Sequence, residues 1–514
     1  TPKPSSAASD VYKRQQPDSS TYLPGAMAPP SMQVEFLGTS TSPLPSRNYS
    51  SLLVRIDRHV LMLDCGEGTQ RQLFTHSPHT KLNHIRTVLI THLHPDHVLG
   101  LVPMMFSMMG PSAPPLPKDQ PRLEIYGPLG LRALVRSTLN TCYASLSCSY
   151  VVHELLWPSQ PEYPHTLTDA QSPLFSFAEA DDATIPPAMR GQKRTLPVLP
   201  AHENELPGRN IRMDPNTYSW PDFMYVGNTR VAVSAAPIMH RCPTLGYVFT
   251  EPRSASASVS PRDLAILDSN AEALWHGYGI HKPRSLLQKL LQQREPLHLP
   301  DGSVLQPPPE DRPGRKLCVL GDTSDASGGL FVGLSNGADP VPDRGMLALA
   351  RDADLLVHEC TYASLFDEIL QKVQETTPEL ARYFVLSLLP PEDATSRAIS
   401  RGHSVPHIVG EFAALIEAKR VALNHFSART PAPYVDSKDP LQDTAQLRKD
   451  ERFDESVGRL RVMQEIERQV TQCWHDNVRA RSSTKGETTV ELPRAIGAYD
   501  GLVLTVEPRP VDSN

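Results

Sequence analysis

Apolar and polar positions in this chain change over in short blocks, and most of the blocks have the length of strands. After Met32, the run Gln33–Gly38 predicts a strand; Ser51–Ile56 and Val60–Asp64 predict two more, joined by Asp57-Arg58-His59. Arg86–Thr91 contains Thr-Val-Leu-Ile-Thr, a short β-rich run of the kind buried on both faces. Leu123–Tyr126 and Val151–Leu156 predict strands on either side of a helix over Gly130–Asn140, which follows Gly-Pro punctuation. Met224–Val226 and Thr229–Ala235 flank Gly227-Asn228, a hairpin signal. Tyr247–Thr250, Lys316–Gly321, Ala353–Glu359, Arg420–Asn424 and Gly501–Glu507 complete the strands, with a helix over Ile408–Ala418. Strands interleaved with helices, and polar chemistry at strand ends, predict an α/β layered architecture. No internal repeat is present.

Between these blocks the pattern lapses. Residues 157–222 are rich in Pro, Asp and Gln and read as an irregular insertion. Residues 373–401 are longer than a minimal layered core needs, and 251–315 are broken by Ser, Pro, Arg and Lys. Residues 432–485 read as a charged helical insertion, with Arg448–Arg479 alternating charge as a solvated helical face does. Residues 508–514 are a tail. Residues 1–31 lack apolar periodicity and read as disordered or artefactual, with Met27 and Met32 as candidate starts. Their low acid content suits a transit-peptide remnant and equally a cloning or translation artefact.

Composition narrows the class. The chain has 514 residues, enough for one large domain with insertions or two to four smaller ones. Its 51 prolines are roughly twice the usual share and cluster between apolar runs, as expected for long loops on an ordinary scaffold. No run of eighteen apolar residues exists, so no membrane helix and no membrane partner are expected. The net charge of −7 means that a nucleic acid would have to be held by a local patch or by metals. Seven cysteines without a CxxC pair argue against a disulfide framework and for a reducing, intracellular compartment, cytoplasmic or nuclear before an organelle.

The chemistry concentrates at Thr91-His92-Leu93-His94-Pro95-Asp96-His97, directly after a buried strand. Four ligand-type side chains in six residues cannot share one face of a regular helix or strand. They fit a tight turn, where imidazole and carboxylate together suit zinc, with manganese or iron as alternatives. One loop cannot close two metal sites, so further ligands must come from elsewhere. His240, Asp322 and His425 each stand just past a strand-like run, where a ligand can enter a shared crevice. Asp322 is the natural bridging carboxylate. Cys65, Cys242, Cys318 and Cys360 lie beside the motifs and read as core packing or as supports behind the ligands.

These residues resemble a known family. His-x-His-x-Asp-His is the signature of metallo-β-lactamase-fold hydrolases, and the chain is more narrowly similar to tRNase Z, the endonuclease that matures tRNA 3′ ends. The segments carrying that likeness are Phe36-Leu37-Gly38-Thr39, Arg47-Asn48, Asp64-Cys65-Gly66-Glu67-Gly68-Thr69-Gln70, Glu124-Ile125-Tyr126-Gly127-Pro128, Gly321-Asp322-Thr323, His358-Glu359-Cys360-Thr361, Gly402-His403-Ser404 and His425-Phe426-Ser427-x-Arg429. With a single half present, the chain resembles the short form. The resemblance implies a four-layer αβ/βα sandwich spanning 32–507, with an exosite-like arm at 251–315. It implies two zinc ions per chain: His92, His94 and His240 around one, Asp96, His97 and His425 around the other, Asp322 between. It gives Asp96 a role in orienting or deprotonating water, and His403, poised by Glu359, the role of proton donor. It implies precursor tRNA as the partner, losing its 3′ trailer, and leaves a homodimer open.

Between Gly279 and Lys316 seven Lys or Arg stand against four acids, so Lys282, Arg284 and Lys289 are candidate phosphate contacts, and the resemblance adds Arg47, Asn48 and Arg429. The family's Gly-Pro step is altered here to Gly279-Ile280-His281-Lys282-Pro283-Arg284; Leu286–Leu291 suggests a short amphipathic helix and Asp301-Gly302 a hairpin turn. Two rival readings are a hydrolase of the same fold acting on a small substrate, and a non-catalytic RNA-binding subunit that kept the fold. Absent metal ligands would mark the second, and none is absent.

Overall fold

The computed structural model describes residues 31–510 apart from 78–79, 111–115, 165–173, 183, 186, 188, 255–258, 288, 309–311, 328–343, 434–450 and 486–491. The expectation for residues 1–31 falls almost wholly outside the described residues. The chain divides into a large unit, Ser31–Glu251 with Arg315–Glu507, and a small one centred on Pro252–Gly314.

Two sheets build the large unit. The first has nine strands, running in space from Asn210–Arg212 through Ser149–Leu156, Pro121–Pro128, Ile85–Leu89, His59–Leu63, Ser51–Ile56 and Met32–Gly38 to Val503–Thr505, with Glu205–Leu206 also on Ser149–Leu156. The second has seven: Trp220–Tyr225, Ala232–Ile238, Thr244–Thr250, Lys316–Leu320, Leu355–Glu359, Val421–Asn424 and Ile496–Gly497. Alternation along each strand sorts the side chains. Val34, Phe36, Leu52 and Val54 of the first sheet meet Val233, Tyr247, Phe249, Leu317 and Val357 of the second in one core. The opposite set of the first sheet, Leu53, Met62, Val88 and Ile90, packs with residues of helices Leu101–Met109 and Leu131–Thr141. That of the second, Val248, Cys318, Leu356 and Leu423, packs with residues of Pro406–Leu415 and Glu451–Lys485. Strands buried on both faces read as continuous apolar runs, which is why they are conspicuous in the sequence. The result is helix, sheet, sheet, helix: the αβ/βα sandwich that the resemblance implies.

Two expectations change. Residues 157–222 are not simply irregular. They supply the hairpin Leu174–Ala178 with Lys193–Pro197, two short edge strands of the first sheet, and part of the edge strand Trp220–Tyr225 of the second. Trp157 and Trp220 meet edge to face in the core, with ring centroids 5.1 Å apart. Nor is the helix Glu451–Lys485 a solvated face throughout. Val462, Met463, Ile466, Val470 and Trp474 are buried along one stripe. The helix comes so close to Gly410 that an added Cβ would stand 2.8 Å from the Trp474 backbone nitrogen. The charge alternation hid an i, i+3/i+4 apolar stripe. The segment 373–401 is helical for most of its length, including Ala381–Ser387 and Pro391–Arg401.

The small unit has its own apolar cluster, with Leu267, Leu274, Leu290, Leu297 and Leu305 buried. Helices Pro261–Ser269 and Ala271–Tyr278 precede a 3-10 turn at Pro283–Leu286 and a π-helical turn at Lys289–Gln293, where one amphipathic helix was expected. Asp301-Gly302 does form the turn of a hairpin between Leu297–His298 and Val304–Leu305, Gly302 taking φ +87°. In the large unit, the residues bounding this segment are held together: Glu251 N donates to Arg315 O at 2.8 Å, and the buried Arg315 forks onto the Glu251 carboxylate with two 2.8 Å bonds.

Candidate metal centre

Strand ends deliver the polar groups. Lys316–Leu320, Leu355–Glu359 and Val421–Asn424 are parallel neighbours, so Asp322, Glu359 and His425 emerge at the same edge of the second sheet. The loop after Ile85–Leu89 contributes the remainder: Pro95 starts the short helix Pro95–Val98, carrying Asp96 and His97 back toward the sheet end. This loop lies directly against the 64–66 turn. Cys65 N donates to His97 O at 2.7 Å and Gly100 N to Cys65 O at 2.8 Å, and Gly66 and Gly100 approach so closely that neither leaves room for a Cβ. His240 stands in the loop between Ala232–Ile238 and Thr244–Thr250.

Two cages result. In the first, His92 Nε2 lies 3.0 Å from His94 Nδ1, which lies 3.1 Å from His240 Nε2. In the second, His97 Nε2 and His425 Nε2 are 3.1 Å apart, with Asp96 Oδ2 at 3.6 and 3.4 Å from them. Asp322 reaches both. Its Oδ1 is 3.3 Å from His97 Nε2 and from His425 Nε2, and its Oδ2 is 3.7 Å from His92 Nε2 and 3.9 Å from His240 Nε2. All seven sequence-predicted ligands therefore converge.

The surroundings decide which nitrogens carry protons. His240 Nδ1 donates to Gly402 O at 2.6 Å and His97 Nδ1 to Asp64 Oδ2 at 2.7 Å, so in the neutral rings both Nε2 atoms present bare lone pairs to the cages. Lone pairs converging at about 3 Å repel unless a cation lies among them. This donor set of imidazole and carboxylate suits a transition metal, so the residues present fit a metal centre. Protonation would serve the first cage poorly: burial first, and then neighbouring His97, drives His92 well below its ordinary range, and burial brings His240 down to about 3. Burial would raise the Asp322 carboxyl, but the facing His425 and His97 hold it well below the usual carboxylate range.

A third group adjoins the cages. Glu359 accepts from Thr323 N, Ser404 N, Thr361 N and Thr361 Oγ1 at 2.6–3.1 Å, and from His403 Nδ1 at 3.0 Å. Because a carboxylate only accepts, His403 Nδ1 is the donor, and Nε2 is left for other work. Against the effect of burial, Glu359 raises the His403 pKa. The His403 ring stacks on His425 at 5.4 Å between centroids.

Asp64, to which the sequence assigned no role of its own, holds these groups in place. Asp64 takes three bonds: from Thr91 N at 2.7 Å, from Thr91 Oγ1 at 2.8 Å and from His97. Asp64 and His425 both adopt left-handed backbone, φ 55°, a conformation that costs most non-glycine residues energy and recurs at functional sites. Asp64 was visible in its motif, but its partner is 33 residues away and only the fold pairs them.

The expected substrate contacts divide. Arg47 is a correction: it is 1 % exposed, donates to Thr39 Oγ1, Ala498 O and Thr430 O, and lies 4.4 Å over Phe426, so its guanidinium serves the interior. Asn48 is half-buried, its Nδ2 on Glu67 O and its backbone N on Asp500. Arg429 is exposed in the large unit. Lys282, Arg284 and Lys289 are exposed in the small one, Arg284 paired with Asp268 at 2.7 Å and Lys289 with Glu295 at 3.0 Å. Among the described residues no helix is long and apolar enough to cross a membrane.

Comparison with known proteins gives the family. A family model described as "Anti-Pycsar protein Apyc1" matches residues 32–118. Zinc phosphodiesterase ELAC protein 1 of Mus musculus is 30% identical over 422 residues, which is 82% of this chain and 92% of that protein. Ribonuclease Z of Prochlorococcus marinus (strain MIT 9312) is 28% identical over 362 residues, 69% of this chain and 85% of that protein. The crystal structure of human tRNase Z, short form, matches with 26% identity and a TM-score of 0.42, covering 77% of this chain and 93% of that one. On the extent of the first match, and with the two-sheet architecture in hand, the chain belongs to the zinc phosphodiesterase ELAC and ribonuclease Z family, of metallo-β-lactamase fold.

Proposed function

We propose that this chain is a zinc-dependent endoribonuclease that removes the 3′ trailer from precursor tRNA, leaving a 3′-hydroxyl on the tRNA. The observation that carries the reading is the juxtaposition of two cages sharing Asp322 with the Glu359–His403 pair. In this reading His92, His94 and His240 hold one zinc ion, Asp96, His97 and His425 the other, and Asp322 both. The ions, when bound, would acidify a water and offset negative charge on the reacting phosphate. The chain's own residues do the rest. Asp96 directs the water and takes up its proton. Asp64 and Gly402 keep the His97 and His240 rings in the tautomer with Nε2 free. Glu359 holds His403 with Nδ1 protonated, so that Nε2, when protonated, passes its proton to the departing ribose 3′-oxygen, a poor leaving group without one. Arg429 and the exposed Lys282, Arg284 and Lys289 contact phosphates of the substrate. Both cages and the proton donor come from one chain, so the chemistry does not depend on a homodimer.

The test is turnover of a precursor tRNA beside a small chromogenic phosphodiester, with and without chelator, followed by zinc repletion. Cleavage at the 3′ trailer, abolished by chelator and restored by zinc, is expected. A chain that hydrolyses only the small diester would instead be the small-substrate hydrolase; activity indifferent to metal would end the reading.

A further inference from the structure

Beside His92, His94, His240 and the shared Asp322, the first cage has a further donor of a different kind. Cys242 follows His240 by two residues in the loop between the paired strands Ala232–Ile238 and Thr244–Thr250. Its Sγ and the donor atoms of His92, His94 and His240 all lie within 4.8 Å of one another. Several bonds pin the loop here: Thr244 Oγ1 donates to Cys242 O at 2.9 Å, Gly402 O holds His240 Nδ1 at 2.6 Å, and Leu245 N donates to Thr91 O at 3.0 Å. The contact of the sulphur with Thr244 Oγ1, at 3.9 Å, is too weak to anchor it elsewhere. A single torsion, χ1, positions Sγ, so the thiol can turn toward the cage while the loop stays still. The second cage, by contrast, is drawn from Asp96, His97, Asp322 and His425, all nitrogen and oxygen donors.

From this arrangement we propose that Cys242 is a sulphur ligand of the ion held by His92, His94 and His240. This rests on the two-metal reading above. Thiolate selects zinc and other thiophilic ions, whereas carboxylate and imidazole also accept manganese and iron. The two cages therefore differ in softness: the first discriminates for zinc, and the second is tolerant. A packing role, the reading that the sequence alone supports, would leave the sulphur out of the coordination sphere.

Cobalt(II) reports the difference, because sulphur bound to cobalt gives an intense near-ultraviolet charge-transfer band that nitrogen and oxygen donors do not. The full chain is stripped of metal and reloaded with two equivalents of cobalt. The band is expected in the unaltered protein, lost in Cys242→Ser and retained in Cys142→Ser, Cys142 being exposed. Cys242→Ser should also release one of two zinc ions to a chelator on the order of tenfold more readily. As a check that needs no variant, alkylation mapped by mass spectrometry should slow at least tenfold at Cys242 on zinc loading and stay unchanged at Cys142. Two bound cobalt ions without the band, or a band that survives Cys242→Ser, overturn the ligand while leaving the two-metal reading intact. Failure of the unaltered chain to bind cobalt at all overturns both.

Discussion

Asp64→Asn removes one charge and almost no volume, and it probes how the second cage is kept competent. The native carboxylate accepts from Thr91 N, Thr91 Oγ1 and His97 Nδ1. Asn tolerates the φ of 55° at this position, so the backbone need not move. If the amide oxygen keeps Thr91 N, the amide NH2 faces His97 Nδ1. A ring nitrogen opposite a donor must accept, so the His97 proton moves to Nε2, the atom that lies 3.1 Å from His425 Nε2 and 3.3 Å from Asp322 Oδ1. A protonated Nε2 cannot ligate. Turning the amide over only transfers the mismatch to the Thr91 N–H. Removing a hydrogen bond to a charged acceptor costs about 1.5–3 kcal/mol, or roughly 10- to 150-fold in an equilibrium. Metal sites typically fall roughly 10–100-fold in affinity or activity when such a partner is removed. Chelator competition on the zinc-loaded protein should therefore show one ion held roughly 10–100-fold more weakly, with activity falling in parallel at limiting zinc. Unchanged affinity for both ions would refute the tautomer argument.

Asp322→Ala should lose both ions in metal analysis, because the carboxylate shared between two like charges is removed, whereas His403→Ala should keep both and lose turnover on the order of 10²–10⁴-fold; metal loss from the His403 variant would contradict its role as proton donor. Glu467, whose carboxyl accepts from Gly497 N at 2.8 Å, is pushed by burial up to about 7, above its unfolded value. Its contribution to stability is thus fully present below the unfolded pKa and disappears as pH rises through about 7; Glu467→Gln should raise the melting temperature at pH 8 by an amount worth up to about 3 kcal/mol and do nothing at pH 4, and equal effects at both pH values would discredit the shift. Replacing Lys282, Arg284 and Lys289 together with Ala should weaken precursor-tRNA binding and lower its salt slope by about one unit for each phosphate that a removed cation had neutralised, with small-diester turnover as the control; an unchanged slope would remove these residues from the interface.

How far the sequence could be read depended on whether the signal was local. His92, His94, Asp96 and His97 sit in one turn, and His240, Asp322 and His425 each follow a buried run, so ligand type and strand end were both visible in the chain. The strands of the inter-sheet core were equally plain, because burial on both faces writes unbroken apolar runs. What escaped depended on pairing across the fold. Arg47 looks like a surface cation until Thr39, Ala498 and Thr430 close around it. The stripe Val462–Ile466–Val470–Trp474 is diluted by charges and emerges only when the helix meets Pro406–Leu415. That the Cys242 sulphur stands near His92 and His94 is visible only once Thr244–Thr250 is paired with Ala232–Ile238.

The Glu251–Arg315 clasp bears on how such a chain can change over evolutionary time. The two residues flank neighbouring strands of the second sheet, Glu251 following Thr244–Thr250 and Arg315 preceding Lys316–Leu320, and a buried ion pair and a backbone bond join them directly. The host thus brings the ends of the intervening segment together itself. Each doubling of that segment adds only about 0.6 kcal/mol of closure entropy. Insertions, deletions and wholesale exchange of residues 252–314 can then be sampled at little penalty to the catalytic body, while a neutral residue in place of Glu251 or Arg315 strands its partner's charge in the interior. The segment and its host can thus vary separately in sequence, with a single ion pair at the boundary between them.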